Sequence, residues 1–256
     1  MSERKVNATM ADAIALETKA PQRLLMQRAW RNVARLPQRT ARSFARLWDR
    51  GYRLERRAQR ELTNRLPRTR LRALRAIIGT SSDKECCLLA HLAMQAPAGG
   101  EIVEIGAWKG RTTAWLVEGS QLRADPLPVT SIDPHAFGSW DEYQRVLAEF
   151  QLPQRGLTAV RESSSQVGHG WSKPISLLWI DGSHDYADVL ADIRLFVPHV
   201  MPGGCVVFDD AVGGLFPGVE QAIQEEMAGR PGFARRATIR HLQLFAREAK
   251  SQTRAA

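Results

Sequence analysis

Residues 176–210, SLLWIDGSHDYADVLADIRLFVPHVMPGGCVVFDD, restrict the fold more than any other stretch of the 256-residue chain. Two short apolar runs, 175–180 and 205–208, have the composition of parallel strands buried on both faces. Between them lies a helix-compatible segment and a Pro202-Gly203-Gly204 turn. Each run stops at acid: Asp181 after the first, Asp209 and Asp210 after the second. Open α/β sheets bind their ligands at the carboxyl ends of the strands. If the two strands are neighbours, three carboxylates and His184 converge on one small volume. Three carboxylates in one cleft repel, and a hard divalent cation such as magnesium removes the conflict. His184 is expected in the first turn of the following helix, facing the same pocket. There it takes the proton of a hydroxyl that the metal has acidified. Taken singly, Asp181 or Asp210 also suits a helix cap or a turn, and His184 a bond to a backbone group.

The preceding chain supplies a second set of candidates. In GEIVEIGAWKGRTTAWL, residues 102–105 read as a strand, 106–110 as a turn and 111–117 as the start of a helix. A glycine-containing turn lets a ligand approach the backbone and meet a helix N-terminus, although many α/β connections look alike. Residues 128–132 form the next strand, ended by Asp133, 27 residues after Gly106. An acid at that strand tip holds ribose hydroxyls in dinucleotide folds. A third strand, 157–160, is followed by Glu162-Ser163-Ser164, where a base edge can be read. A helix over 218–227 and an antiparallel pair, 237–241 with 242–246, complete the pattern. Strands alternating with helices predict an α/β fold with a doubly wound, mostly parallel, Rossmann-like sheet and a closing antiparallel strand. His91, His135, His169, His199 and His241 have no evident partner and read as structural or surface residues.

Charge divides the chain. Residues 1–80 hold 20 basic and 6 acidic residues, a net +14, whereas residues 81–256 carry a net −5. The expected organisation is a basic helical N-terminal region over 1–80, a catalytic domain over 81–248 and a disordered tail over 249–256. Within the arm, Leu25, Ala29, Val33 and Leu36 share one helical face before Pro37. A second helix, capped by Thr40 and running to about Leu66, carries Phe44, Trp48, Tyr52 and Leu62 as its apolar stripe. A solvated arm packing that stripe on the main domain, or on a second subunit in a homo-oligomer, accounts for this composition. An anionic membrane surface is a sharper reading, favoured by Trp30, Phe44 and Trp48 among the arginines. A nucleic-acid backbone is another, with no recognisable motif behind it. The three cysteines form neither a disulfide framework nor a metal spacing, which suits a reducing cytoplasm. No apolar run approaches the ~20 residues of a membrane span.

Taken together, VEIGAWKGRTTAWL, SIDPH, LLWIDGSHDYADVLADI and PGGCVVFDD resemble the class I S-adenosylmethionine-dependent methyltransferases. Within them the chain is most similar to the metal-dependent O-methyltransferase branch that includes macrolide-sugar O-methyltransferases and cephalosporin-hydroxylase-like proteins. The resemblance covers about residues 83–246. It implies S-adenosylmethionine as cofactor, with Glu104, Gly106 and Gly110 at its methionine end, Asp133 on the ribose and Ser163 or Ser164 near the adenine. It also implies that Asp181, Asp209 and Asp210 bind Mg2+ and that His184 is the base. Trp108 stands where the superfamily turn usually has its middle glycine. The expected function is transfer of a methyl group to a hydroxyl of a small molecule or glycan. Loops around 137–143 and 211–216 are expected to line the acceptor pocket. Two other readings stay open: an RNA methyltransferase using the basic arm, and a non-catalytic, membrane-associated or oligomeric interaction protein on the same fold.

Overall fold

The structure, a computed structural model, describes residues 38–249. The expected helix over 21–36 and the tail from 250 lie outside the described residues. The described chain begins with α1 (Gln38–Arg65), already helical at Thr40. Pro67, which has no N–H to continue the ladder, separates it from α2 (Arg68–Ala76). α3 (Asp83–Gln95) opens with a capping box in which Ser82 and Glu85 satisfy each other's backbone N–H. Then follow β1 (Glu101–Ile105), α4 (Arg111–Gln121), β2 (Val129–Ile132), α5 (Trp140–Glu149) and β3 (Leu157–Val160). Next come α6 (Ser164–Gly168), β4 (Ile175–Ile180), α7 (Tyr186–Phe196), β5 (Val200–Phe208) and α8 (Pro217–Met227). The hairpin β6 (Phe233–Ile239) and β7 (Leu242–Arg247) completes the order. No helix among the described residues is long and apolar enough to cross a membrane.

The seven strands of the described residues lie in one sheet, ordered β3-β2-β1-β4-β5-β7-β6. Pairing is parallel throughout except that β7 runs antiparallel to both β5 and β6. The strand order reverses between β1 and β4, the switch point at which such sheets leave a crevice. Register aligns the strand ends there. Ile132, Ile105, Ile180 and Phe208 pair across four neighbouring strands. The next residue on each strand, Asp133, Gly106, Asp181 and Asp209, therefore leaves the sheet beside the others.

Side-chain alternation along each strand feeds two cores. On one face Leu177, Trp179 and Val207 pack with Leu62, Leu74, Leu88 and Trp115 from the helices α1 to α4. On the other, Leu178, Ile180 and Val206 pack with Val189, Ile193 and Val219 from α7 and α8. Two local readings need correction. Pro202-Gly203-Gly204 lies within β5 at a register irregularity, because the strand begins at Val200 and extends through the turn residues. The buried stripe of α1 is Gly51, Glu55, Ala58 and Leu62, continued by Leu66 just past its end, and Tyr52 is 57% exposed. A glycine supplies the contact that aromatic spacing would not reveal. A Cβ at Gly51 would lie 2.1 Å from the Thr238 carbonyl oxygen, so α1 crosses β6 backbone against backbone. Gly51→Ala should therefore destabilise by about 1–3 kcal/mol from overpacking, despite the gain of about 1 kcal/mol expected for alanine in a helix. Urea unfolding of the two proteins measures the sign, and a stabilised variant would contradict this packing.

Candidate active site

Asp133 organises the turn after β1. Its Oδ2 accepts the N–H groups of Ala107 at 2.8 Å and Trp108 at 2.7 Å, and its Oδ1 accepts that of His135 at 2.6 Å. The expected ribose acid thus already carries three backbone donors. Gly106 has φ +89°, and a Cβ there would stand 1.9 Å from the Asp181 carbonyl oxygen. The glycine is required by the tip of β4, whatever ligand approaches. Trp108, in place of a glycine, takes φ +43°. Gly110, with φ +86°, opens α4 without a side-chain cap, and the Tyr143 ring covers it. Glu104, expected at the methionine end of the cofactor, is fully buried, and its oxygens accept the hydroxyls of Thr112, Thr113 and Ser131. Burial outweighs those three donors and pushes its carboxyl up to about 7.

The acids at the tips of β4 and β5 do meet. Burial, then the charges of Asp209 and Asp210, hold the Asp181 carboxyl well above the usual range, and it shares a hydrogen bond with Asp209. Of this pair Asp181 is the one whose neutral form the site favours. Burial alone would raise Asp209 as well, but His241 overrides it, with Nε2 2.9 Å from Asp209 Oδ1, and the carboxyl is lowered. For His241 burial works against the charged form, yet Asp209, backed by Glu85 and Asp210, lifts it to about 10. Asp209, Asp210 and His241 present ligand atoms within 4.8 Å of one another, a geometry that can hold a metal ion. The donor set is hard oxygen plus one imidazole, which suits a divalent cation.

His184 sits in the loop before α7, whose N-cap is Asp185, and not in the first helical turn as its spacing suggested. The Gly182-Ser183 pair lengthens the loop by enough to delay the helix. Its Nε2 is 3.2 Å from Asp210 Oδ2, and its ring stacks on Phe216 with centroids 3.9 Å apart. Asp210 takes φ +48°, which turns its carboxylate toward the histidine side of the cleft.

Residues 103–211 match the family described as "Methyltransferase domain". The fold is similar to that of the O-methyltransferase NovP, with a TM-score of 0.57 and 15% identity over 66% of this chain and 82% of that one. It is also similar to the O-methyltransferase TomG from Streptomyces achromogenes, involved in tomaymycin synthesis and solved with SAM bound. There the TM-score is 0.52 with 17% identity, over 78% of this chain and 90% of that one. These residues thus match a methyltransferase domain in sequence, and the sheet around them shares the fold of the two O-methyltransferases. Among curated sequences, dimethylglycine N-methyltransferase of Parasynechococcus marenigrum is 27% identical over 157 residues, 60% of this chain and 51% of that one. The chain spans about half the length of the curated relatives it matches.

The rest of the candidate site is built by local capping and by a long-range insertion. Ser163 caps α6 in a capping box with Gln166, and Ser164 hydrogen-bonds Asp192 of α7. Asp192 is buried, which raises its carboxyl to about 6. Four histidines read as partnerless have partners, the first being His169, whose Nδ1 meets the Ser165 carbonyl oxygen at 2.5 Å. His91 lies 3.2 Å from Glu61, His135 bonds Ser139 at 2.9 Å and packs against Trp140 and Tyr143, and His241 reaches Asp209. His241 escaped detection because β7 inserts between β5 and β6, a pairing that no local pattern announces.

Glu104 gives a test of the buried half of the site. Its folded carboxyl titrates near 7 instead of the ordinary 4.5, so between those values the folded state binds a proton that the unfolded state has lost. Stability should fall as pH rises through this window, by about 3 kcal/mol in all. Glu104→Gln, which cannot ionise, should flatten that decline between pH 5 and pH 8 in urea unfolding. Parallel pH curves for the two proteins would contradict the assignment.

Proposed function

We propose that this protein is an S-adenosylmethionine-dependent O-methyltransferase that uses Mg2+ and acts on a hydroxyl of a small molecule or glycan. The observation that carries this reading is the convergence of Asp181, Asp209 and Asp210 with His184 beside the glycine turn, on one edge of a methyltransferase sheet. S-adenosylmethionine supplies a methyl group already activated on a sulfonium, so the chain must contribute orientation and a deprotonated oxygen. Asp209 and Asp210, with Asp181 or His241, would hold a divalent cation that acidifies the acceptor hydroxyl. His184 takes the proton that this hydroxyl gives up as it gains the methyl group, leaving S-adenosylhomocysteine. Asp210 orients the imidazole, and Phe216 fixes its plane. Asp133 and Gly110 shape the turn toward the cofactor. Phe137, 77% exposed, and Leu215, 40% exposed, belong to the two loops expected at the acceptor and offer it apolar surface.

A peripheral attachment through the arm is favoured by one observation. Arg46, Arg50, Arg53, Arg57 and Arg60 follow spacings of four and three, on the face of α1 opposite Gly51, Glu55, Ala58 and Leu62. All five are exposed, which suits an anionic membrane surface. Vesicles containing phosphatidylserine should then bind the full chain in a salt-sensitive way, and equal retention by neutral vesicles would contradict this.

For the reaction, a catechol or another vicinal diol serves as probe. Asp181→Ala and Asp210→Ala should abolish methylation while S-adenosylhomocysteine affinity stays nearly intact. His184→Ala should lower kcat by roughly 10²–10⁴-fold. Full turnover in EDTA would sink the metal role, and failure of the wild type to bind S-adenosylhomocysteine would sink the reading as a whole.

A further inference from the structure

Arg240 and His241 form the two-residue tip of the β6–β7 hairpin, between the paired Ile239 and Leu242. Arg240 has φ +56°, a conformation that hairpin tips normally assign to glycine, asparagine or aspartate. Its side chain explains the exception. Nε donates to Glu55 Oε1 at 2.7 Å and lies 3.9 Å from Glu85 Oε1. Both acids are buried, Glu55 on α1 and Glu85 on α3. The neighbouring tip residue, His241, holds Asp209 through its ring and receives the Ala211 N–H on its carbonyl at 2.8 Å. Gln243, one residue into β7, donates its side-chain amide to the Ala211 carbonyl at 2.8 Å. Three bonds from the hairpin therefore grip the segment that carries Asp209 and Asp210. α1 in turn grips the hairpin, with Gly51 against the Thr238 carbonyl and Glu55 on Arg240.

We propose that Glu55, on the arginine-rich helix preceding the methyltransferase domain, is a positioning residue for the acid cluster, acting through Arg240 and the hairpin tip on His241, Asp209 and Asp210. The inference rests on the cation site proposed above. Groups that orient the residues around a metal commonly change its affinity by 10–100-fold when removed. Without Glu55, Arg240 loses its short ion pair, the closest contact that holds the tip in a disfavoured backbone conformation. The tip then relaxes, and its grip on Asp209 and Ala211 loosens. α1 thereby belongs to the active site that it never touches.

The test uses Mn2+ as the probe, its dissociation constant measured by electron paramagnetic resonance on the full chain. Glu55→Ala should weaken Mn2+ binding by ~10-fold or more. Glu55→Gln, which keeps an acceptor for Arg240, should weaken it clearly less. S-adenosylhomocysteine affinity should stay at the wild-type value in both. If Glu55→Ala binds Mn2+ like the wild type while Asp209→Ala loses it, the positioning role is overturned and the cation site stands. If the wild type binds no better than Asp209→Ala, the cation site falls and the positioning role with it. Equal losses of Mn2+ and S-adenosylhomocysteine affinity in both Glu55 variants would mark a merely structural contact and also overturn the proposal. Should Glu55→Ala not fold, Arg240→Gly, which suits the turn, replaces it. Weakened Mn2+ binding in that variant supports the proposal, and wild-type binding overturns it.

Discussion

The row formed by Ile132, Ile105, Ile180 and Phe208 is the constraint on which the site depends, because four apolar strands reach the end of the sheet at one level. Backbone pairing sets this level, and the two cores on either face keep it. Loops that start together stay together. Asp133 can then reach back to the N–H groups of Ala107 and Trp108, and Gly106 can pass under the Asp181 carbonyl with no side chain between them. A β-carbon at 106, or a register slip in β4, would separate the glycine turn from the acids. The chemistry proposed for this edge rests on that adjacency more than on any single residue.

Convergence of acids has an electrostatic cost that the surrounding residues redistribute. Asp181 shares a hydrogen bond with Asp209, Asp209 faces His241, and Asp210 lies against His184. Each contact offsets repulsion among neighbouring carboxylates. Each is also one that a divalent cation can replace. Glu104, fully buried, is served by hydroxyls alone. That separation divides the labour between a structural acid and the acids available for chemistry.

Much of this was legible in the residues themselves. Strand runs closed by Asp181 and by Asp209-Asp210 have no reading as buried as theirs except parallel strands, and their acids point to the carboxyl edge. Asp133 was legible as an acid at a strand tip, but its donors were not, since Ala107 and Trp108 lie 26 and 25 residues away in sequence. His241 was invisible because its importance arises from β7 entering between β5 and β6. The α1 stripe misled for a related reason. Apolar spacing favoured Tyr52, whereas the helix docks through Gly51 and the ion pair of Glu55, two residue types that hydropathy counts as poor anchors. Local pattern reports what a segment buries, and long-range register decides what it meets.

The central claim is that the acids at the tips of β4 and β5 hold a divalent cation next to the cofactor. The most direct measurement is anomalous diffraction at the manganese edge from crystals grown with S-adenosylhomocysteine and Mn2+. The account predicts a single strong peak coordinated by Asp209 and Asp210, facing the turn that Asp133 organises. Bound S-adenosylhomocysteine with no manganese at those carboxylates would contradict it.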